Sequence, residues 1–267
     1  MEIPAVKAHS HLSRAAGADN RSDTRATIFD RCDELKLIRD RLAQRHSFLV
    51  HGPGGVGKTL LLKAVLPEFR DILYSDSNAT PQALYRKLAE LLWSTGHPVF
   101  TRTCPRGTAS LQAKNAVSLK GLLRQALLDS KYLLVLDHLM RPSQAMAASI
   151  RELMLHWSVP VVAVTRSAHM EDAGFVLPLF ADRRDKLALR NFDADVATEF
   201  AAACAQKEGL HADNLAQFLE RVAEYSAGNP GAILRMIRLA REPRYVQENQ
   251  IKIAPLYIDY KIAMLSQ

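Results

Sequence analysis

Nine consecutive residues, His51-Gly52-Pro53-Gly54-Gly55-Val56-Gly57-Lys58-Thr59, hold four glycines, a lysine and a hydroxyl. They satisfy G-x-x-x-x-G-K-[ST] at every fixed position, from Gly52 to Thr59. The glycines let the backbone take conformations closed to other residues, so that N–H groups between Gly52 and Leu60, all but that of Pro53, which has none, can line a concave anion site. A helix starting at this point adds the partial positive charge of its N-terminus. Lys58 would place a point charge on the outer phosphates, and Thr59 a hydroxyl on Mg²⁺. The pattern predicts a site for a nucleoside triphosphate.

Asp137 and Arg166 are the other chemically informative positions. Each closes an apolar run, Tyr132-Leu133-Leu134-Val135-Leu136 and Pro160-Val161-Val162-Ala163-Val164-Thr165. A strand buried on both faces delivers its last side chain to the sheet's carboxyl edge. The phosphate loop lies on that edge. Asp137 is therefore the expected second Mg²⁺ anchor beside Thr59, and Arg166 the group placed to sense a γ-phosphate. Lys58, Asp137 and Arg166 form the candidate catalytic set.

These side chains need a frame. Ser47-Phe48-Leu49-Val50 reads as the strand before the loop and residues 60–66 as the helix after it. An amphipathic helix with Leu35, Ile38 and Leu42 precedes them. Asp71 to Ser75 reads as a strand. Thr80-Pro81 opens a helix with Leu84, Leu88, Leu91 and Leu92 on its buried stripe. Residues 95–115, with Gly96, Pro98, Pro105 and Gly107, read as a long loop bearing Arg102, Arg106 and Lys114. A helix with Leu119, Leu122, Leu123, Ala126 and Leu127 follows, and another is expected from Pro142 to Trp157. Residues 187–189 read as a last strand. This alternation predicts an α/β protein with a mostly parallel, doubly wound sheet. Beyond Asn191 the strand signals stop and three helices follow, the third opened by Gly228-Asn229-Pro230. The segment from Ile251 to Leu265 fits strand or helix equally. The expected divisions are an N-terminal arm over 1–25, a phosphate-loop core over 26–190, and a helical lid with a C-terminal segment over 191–267.

Composition narrows the class. The 267 residues are 48% hydrophobic and 24% charged, as in soluble globular proteins. No apolar run reaches the roughly 20 residues of a membrane span. The three cysteines, Cys32, Cys104 and Cys204, lack metal-ligand spacing and read as reduced thiols of a cytoplasmic protein. A net charge of +7 is compatible with a polyanionic partner such as DNA, and equally with a basic surface that meets none.

On these residues the chain resembles the AAA+/STAND group of P-loop ATPases, in its compact archaeal and bacterial STAND type and its origin-recognition branch. Phe29-Asp30-Arg31-Cys32-Asp33-Glu34-Leu35 is similar to the opening motif F-x-G-R-x-x-E-L, with Asp30 in place of glycine. Val164-Thr165-Arg166 is similar to the sensor strand, and Gly228-Asn229-Pro230 to the lid motif G-x-P. The resemblance implies an adenine nucleotide, ATP or ADP with Mg²⁺, held between sheet edge and lid, with Arg31 and Pro230 near the base. It implies a switch whose output is a partner protein. It also implies that Arg183 or Arg184 could act on a neighbouring copy in a homo-oligomer; two exposed arginines paired with Asp182 and Asp185 are the plainer reading. One departure stands out. The second acid expected after Asp137 is His138, which carries no fixed negative charge, so hydrolysis is expected to be slow or absent. The competing function is a DNA-associated ATPase using the basic 95–115 stretch and Arg235, Arg238, Arg241 and Arg244. A metabolic kinase fits less well, since no acceptor site is visible within the sheet domain.

Overall fold

The computed structural model describes residues 28–76 and 78–265; the arm expected over 1–25 lies outside them. Five parallel strands make the main sheet: β1 (Phe48–His51), β2 (Ile72–Ser75), β3 (Leu133–Leu136), β4 (Val161–Thr165) and β5 (Lys186–Ala188), in the order β2-β3-β4-β1-β5. The strand carrying the phosphate loop is thus interior, flanked by β4 and β5.

The two faces of the sheet explain the unbroken apolar runs. Leu49 of β1, Leu134 and Leu136 of β3, and Val161 and Ala163 of β4 enter one core. Their alternating neighbours Phe48, Val50, Leu133, Val135, Val162 and Val164 enter the other. Because a strand's side chains alternate, only a sheet covered on both faces buries every residue of such a run. One face is covered by α1 (Cys32–Ala43) through Ile38 and Leu42, and by α2 (Lys58–Val65) through Leu61, Leu62 and Val65. The other is covered by α3 (Pro81–Ser94), α6 (Ala116–Leu127) and α7 (Gln144–Leu155). Complete burial of one Leu or Val side chain stabilises the fold by about 1.5–3 kcal/mol.

The 95–115 stretch is not an open loop. It folds into α4 (Pro98–Thr103) and α5 (Thr108–Gln112), which bury Phe100, Cys104 and Leu111, and Trp93 Nε1 donates to the Cys104 carbonyl at 3.2 Å. Helices this short show too few turns for apolar periodicity to reveal them. Arg102 and Arg106 are exposed, as expected; Lys114 is half-buried.

After β4 come α8 (Met170–Ala173) and a 3₁₀ segment, Gly174–Phe180. After β5 the chain forms a helical unit with its own core: α9 (Ala194–Lys207), α10 (Leu215–Tyr225) and α11 (Pro230–Leu239). A two-strand antiparallel hairpin, β6 (Val246–Gln247) with β7 (Gln250–Ile251), leads into α12 (Ile253–Leu265). The C-terminal segment is therefore mainly helical; Leu256 and Tyr260 of α12 pack into the lid core. No helix among the described residues is long and apolar enough to cross a membrane.

Candidate functional site

The loop between β1 and α2 is anchored by Val56, which is buried against the sheet core. Gly57, at φ 100°, is the residue that turns the backbone into α2, whose first residues are Lys58 and Thr59. Lys58 reaches back over the loop and donates to the carbonyls of Gly52 at 2.6 Å and Pro53 at 2.8 Å. Burial pushes its ammonium down to about 8; Arg166 adds to that shift and Asp137 opposes it. A partly desolvated cation on a concave backbone is a strong attractor for an oxyanion.

Asp137 is fully buried at the end of β3. Its Oδ2 accepts from the Thr59 hydroxyl at 2.7 Å and from the Tyr74 phenol at 2.7 Å, while Oδ1 accepts from the His138 backbone N–H at 2.8 Å. Burial first, and the bond to Asp137 second, push the Tyr74 phenol above its usual range, so it stays a donor. Asn78 completes the support, donating to the Asp137 carbonyl at 2.7 Å and to the Ser75 carbonyl at 3.0 Å. His138 stands at φ 54° with its ring exposed, Nε2 3.7 Å from Asp137 Oδ2.

These groups share one cavity of about 350 Å³, lined by Gly54, Gly55, Gly57, Lys58, Thr59, Leu60, Asp137, His138 and Arg166 among others. A second, mainly apolar cavity of about 140 Å³ adjoins it, lined by Phe29, Arg31, Val56, Phe192, Phe200, Pro230 and Leu234 among others. Gly55, Gly57 and Leu60 border both. Every residue expected in the site lines one of these cavities except Gly52 and Pro53, whose carbonyls hold Lys58. Arg31 is a wall rather than a free charge. Its guanidinium lies 4.5 Å from the Phe192 ring centre, donates to Glu34 at 2.7 Å and to the Arg190 carbonyl at 2.5 Å.

The helical lid is fastened directly to the loop. Asn229 Nδ2 donates to the Gly54 carbonyl at 2.9 Å, and the Gly231 N–H to the Gly55 carbonyl at 3.0 Å. A Cβ at Gly231 would lie 2.9 Å from Gly55 Cα, and one at Gly55 would lie 2.7 Å from Asn229 Oδ1. Only glycine at both positions allows this approach. Tyr74, Asn78, Phe192, Phe200 and Gly231 escaped sequence reasoning. For Tyr74 a signal existed: β2 pairs with β3, so a polar side chain near the end of β2 lies beside Asp137.

Other expectations fall outside the site. Arg184 pairs with Asp182 at 3.1 Å and is largely exposed, Asp185 contacts His46 at 2.9 Å, and Arg183 is exposed in the same 3₁₀ turn, Arg183–Asp185. On the lid, Arg238 and Arg241 both hold Glu208, at 3.0 and 2.5 Å, while Arg244 pairs with Glu242 at 2.8 Å. No cluster of metal-ligand type beyond these residues occurs among the described residues, and the three cysteines are free thiols. A larger groove, about 670 Å³, shares no lining residue with either cavity. Size alone does not select a site; the converging loop, carboxylate and lid do.

Among solved structures, the chain is similar to a Walker-type ATPase of Pyrococcus abyssi, with TM-score 0.62 and 16% identity over 90% of this chain and 74% of that one. It is similar to the Aeropyrum pernix Orc1 protein, solved in complex with DNA, with TM-score 0.60 and 18% identity over 89% of this chain and 66% of that one. A point mutant of Thermotoga maritima RuvB gives TM-score 0.52 and 14% identity over 91% of this chain and 70% of that one. No protein-family model and no curated protein matches the sequence. At these identities the likeness shows the fold alone: a parallel α/β core of P-loop NTPase-like architecture followed by a helical unit.

Proposed function

We propose that the chain is an adenine-nucleotide-binding molecular switch of the AAA+/STAND kind, with slow or absent hydrolysis and an output through a partner protein. The phosphates of ATP or ADP lie in the polar cavity and the base in the apolar one. The observation that carries this reading is that the two cavities meet at Gly55, Gly57 and Leu60, where the lid bonds the loop. A ligand spanning both touches core and lid together, and so shifts their arrangement by its difference in affinity for the alternatives. Thr59 and Asp137 fit a hard divalent cation, an oxygen pair already adjacent at the loop. Mg²⁺ held there would neutralise phosphate charge. Lys58 binds the outer phosphate oxygens and Arg166 stands on the same cavity to read their number.

Slow turnover follows from the lining. Asp137 is the only carboxylate among the polar cavity's lining residues, and three hydrogen bonds hold it in place. His138, next in the chain, supplies no fixed negative charge to orient a water. The test is a steady-state ATPase assay beside nucleotide analysis of the purified protein. Retained ADP or ATP with turnover well below about 1 s⁻¹ is expected, and a faster rate contradicts the reading.

The second reading, a DNA-associated ATPase, draws on the Orc1 structure solved with DNA and on exposed Arg102 and Arg106. The lid arginines weigh against it, because Glu208 already holds Arg238 and Arg241. Duplex binding that falls steeply between about 50 and 200 mM salt would favour it.

A further inference from the structure

The groove of about 670 Å³ lies on the face of the core covered by α6 and α7. Its floor includes the buried Trp157, and exposed Phe175 stands on its wall. Phe175 is 53% exposed, and Ala147, Ala148 and Pro178 extend the apolar lining. Two guanidiniums and an imidazole line the groove with these apolar groups: Arg124, Arg151 and His156, all exposed and without an ion pair among the described residues. The only acid in the lining, Glu152, is held by Lys120 at 2.7 Å. The groove therefore presents two free guanidiniums around an apolar surface, with its single negative charge already compensated.

We propose that this groove is the output surface of the switch and takes an acidic peptide segment of a partner protein, seated by an apolar or aromatic side chain. The proposal rests on the switch reading given above. Charge complementarity selects the occupant: acidic side chains would meet Arg124 and Arg151 beside a desolvated apolar anchor, the arrangement that gives a small interface its affinity. A second copy of this chain is disfavoured on the same ground, since each carries a net charge of +7.

The groove is joined to the phosphate end by short connections. Phe175 belongs to the stretch that follows Arg166. That stretch is tied to the turn after Asp137: the Arg141 N–H donates to the Asp172 carbonyl at 2.9 Å, and Arg141 Nε to the Glu171 carbonyl at 2.9 Å. Gly174, at φ 51°, lies against Pro142, where a Cβ would meet the Pro142 carbonyl at 2.8 Å. A change at His138 or Arg166 is carried to Phe175 through these contacts, and a bound peptide acts back on them.

A displayed library of random 12-residue peptides, selected against the full chain with Mg·ADP present, tests this. Enriched peptides are expected to be acidic with an aromatic or aliphatic anchor. They should bind at least tenfold more weakly to Arg124→Glu/Arg151→Glu and to Phe175→Ser, and equally well to the control Arg102→Glu/Arg106→Glu. Selection without acidic bias, or equal binding to Arg124→Glu/Arg151→Glu, overturns the proposal. So does sedimentation showing that Arg124→Glu/Arg151→Glu converts a self-associated wild type into monomers. ADP uptake, measured in parallel, confirms that each variant is folded. Its absence in wild type overturns the switch reading, whereas uptake without acidic selectivity overturns the groove alone.

Discussion

The two ends of the proposed nucleotide site are built on different principles. The phosphate end is local: Gly54 to Leu60 are consecutive, and Asp137 and Arg166 stand at or just past the ends of neighbouring parallel strands. The proposed base end is assembled from far-apart segments, with Phe29, Phe192, Phe200 and Leu234 brought together where the helical unit packs on the core. Charge and backbone amides give the first its strength, whereas apolar area and the fit of lid to core give the second its own. The two ends should therefore fail separately.

Removal of Lys58 is the largest lesion. Lys58→Ala should weaken both ADP and inorganic pyrophosphate by about 100-fold, as loss of a charge-assisted contact in a partly dry site implies. Competition against a fluorescent ADP analogue reads both ligands. Phe192→Ala should weaken ADP about tenfold through lost stacking and burial while leaving pyrophosphate unchanged. If both ligands weaken together, the two ends are not separable.

A pH series probes the phosphate end by itself. Lys58 titrates at about 8 in the free protein and must be protonated to hold phosphate. ADP affinity should thus fall about tenfold between pH 7 and pH 9, with pyrophosphate following the same curve. The sign for stability is opposite. The folded-state value lies below the ordinary 10.5, so the unfolded chain holds more protons between about 8 and 10.5. The ligand-free protein should gain stability with rising pH across that window, measured by denaturant titration.

The smallest effect concerns the latch. Asn229→Ala removes the bond to Gly54 and the cap on α11, where Asn229 Oδ1 accepts from the Ala232 N–H at 3.1 Å. It should lower stability by about 1 kcal/mol, seen as a shift of a few degrees in Tm. ADP should restore part of the loss because it bridges the same surfaces.

Legibility followed the same division. The loop was readable because its chemistry is contiguous, and Asp137 because a doubly buried strand can end in only one place. The lid motif was readable at Asn229-Pro230, yet what Asn229 touches was not, since Gly54 is 175 residues away. Phe192 and Phe200 belong to no motif in the sequence; their ring cluster with Phe29 exists only in three dimensions. The stretch around Phe100 read as loop because Pro98, Pro105 and Gly107 signal breaks, and here each lies at or near the start or end of a helix too short to show a period. The C-terminal segment stayed ambiguous for another reason. α12 carries exposed Ile258, Ile262 and Leu265 opposite buried Leu256 and Tyr260, so no clean stripe marks it as helical.

The most direct test of a triphosphate-binding loop under a helical lid is a calorimetric titration of the purified chain with Mg·ADP, repeated in the presence of excess pyrophosphate. One saturable site per chain, displaced competitively by pyrophosphate and lost in Lys58→Ala, is the expected result. Heats that do not saturate, or a site that pyrophosphate and Lys58→Ala both leave untouched, would contradict it.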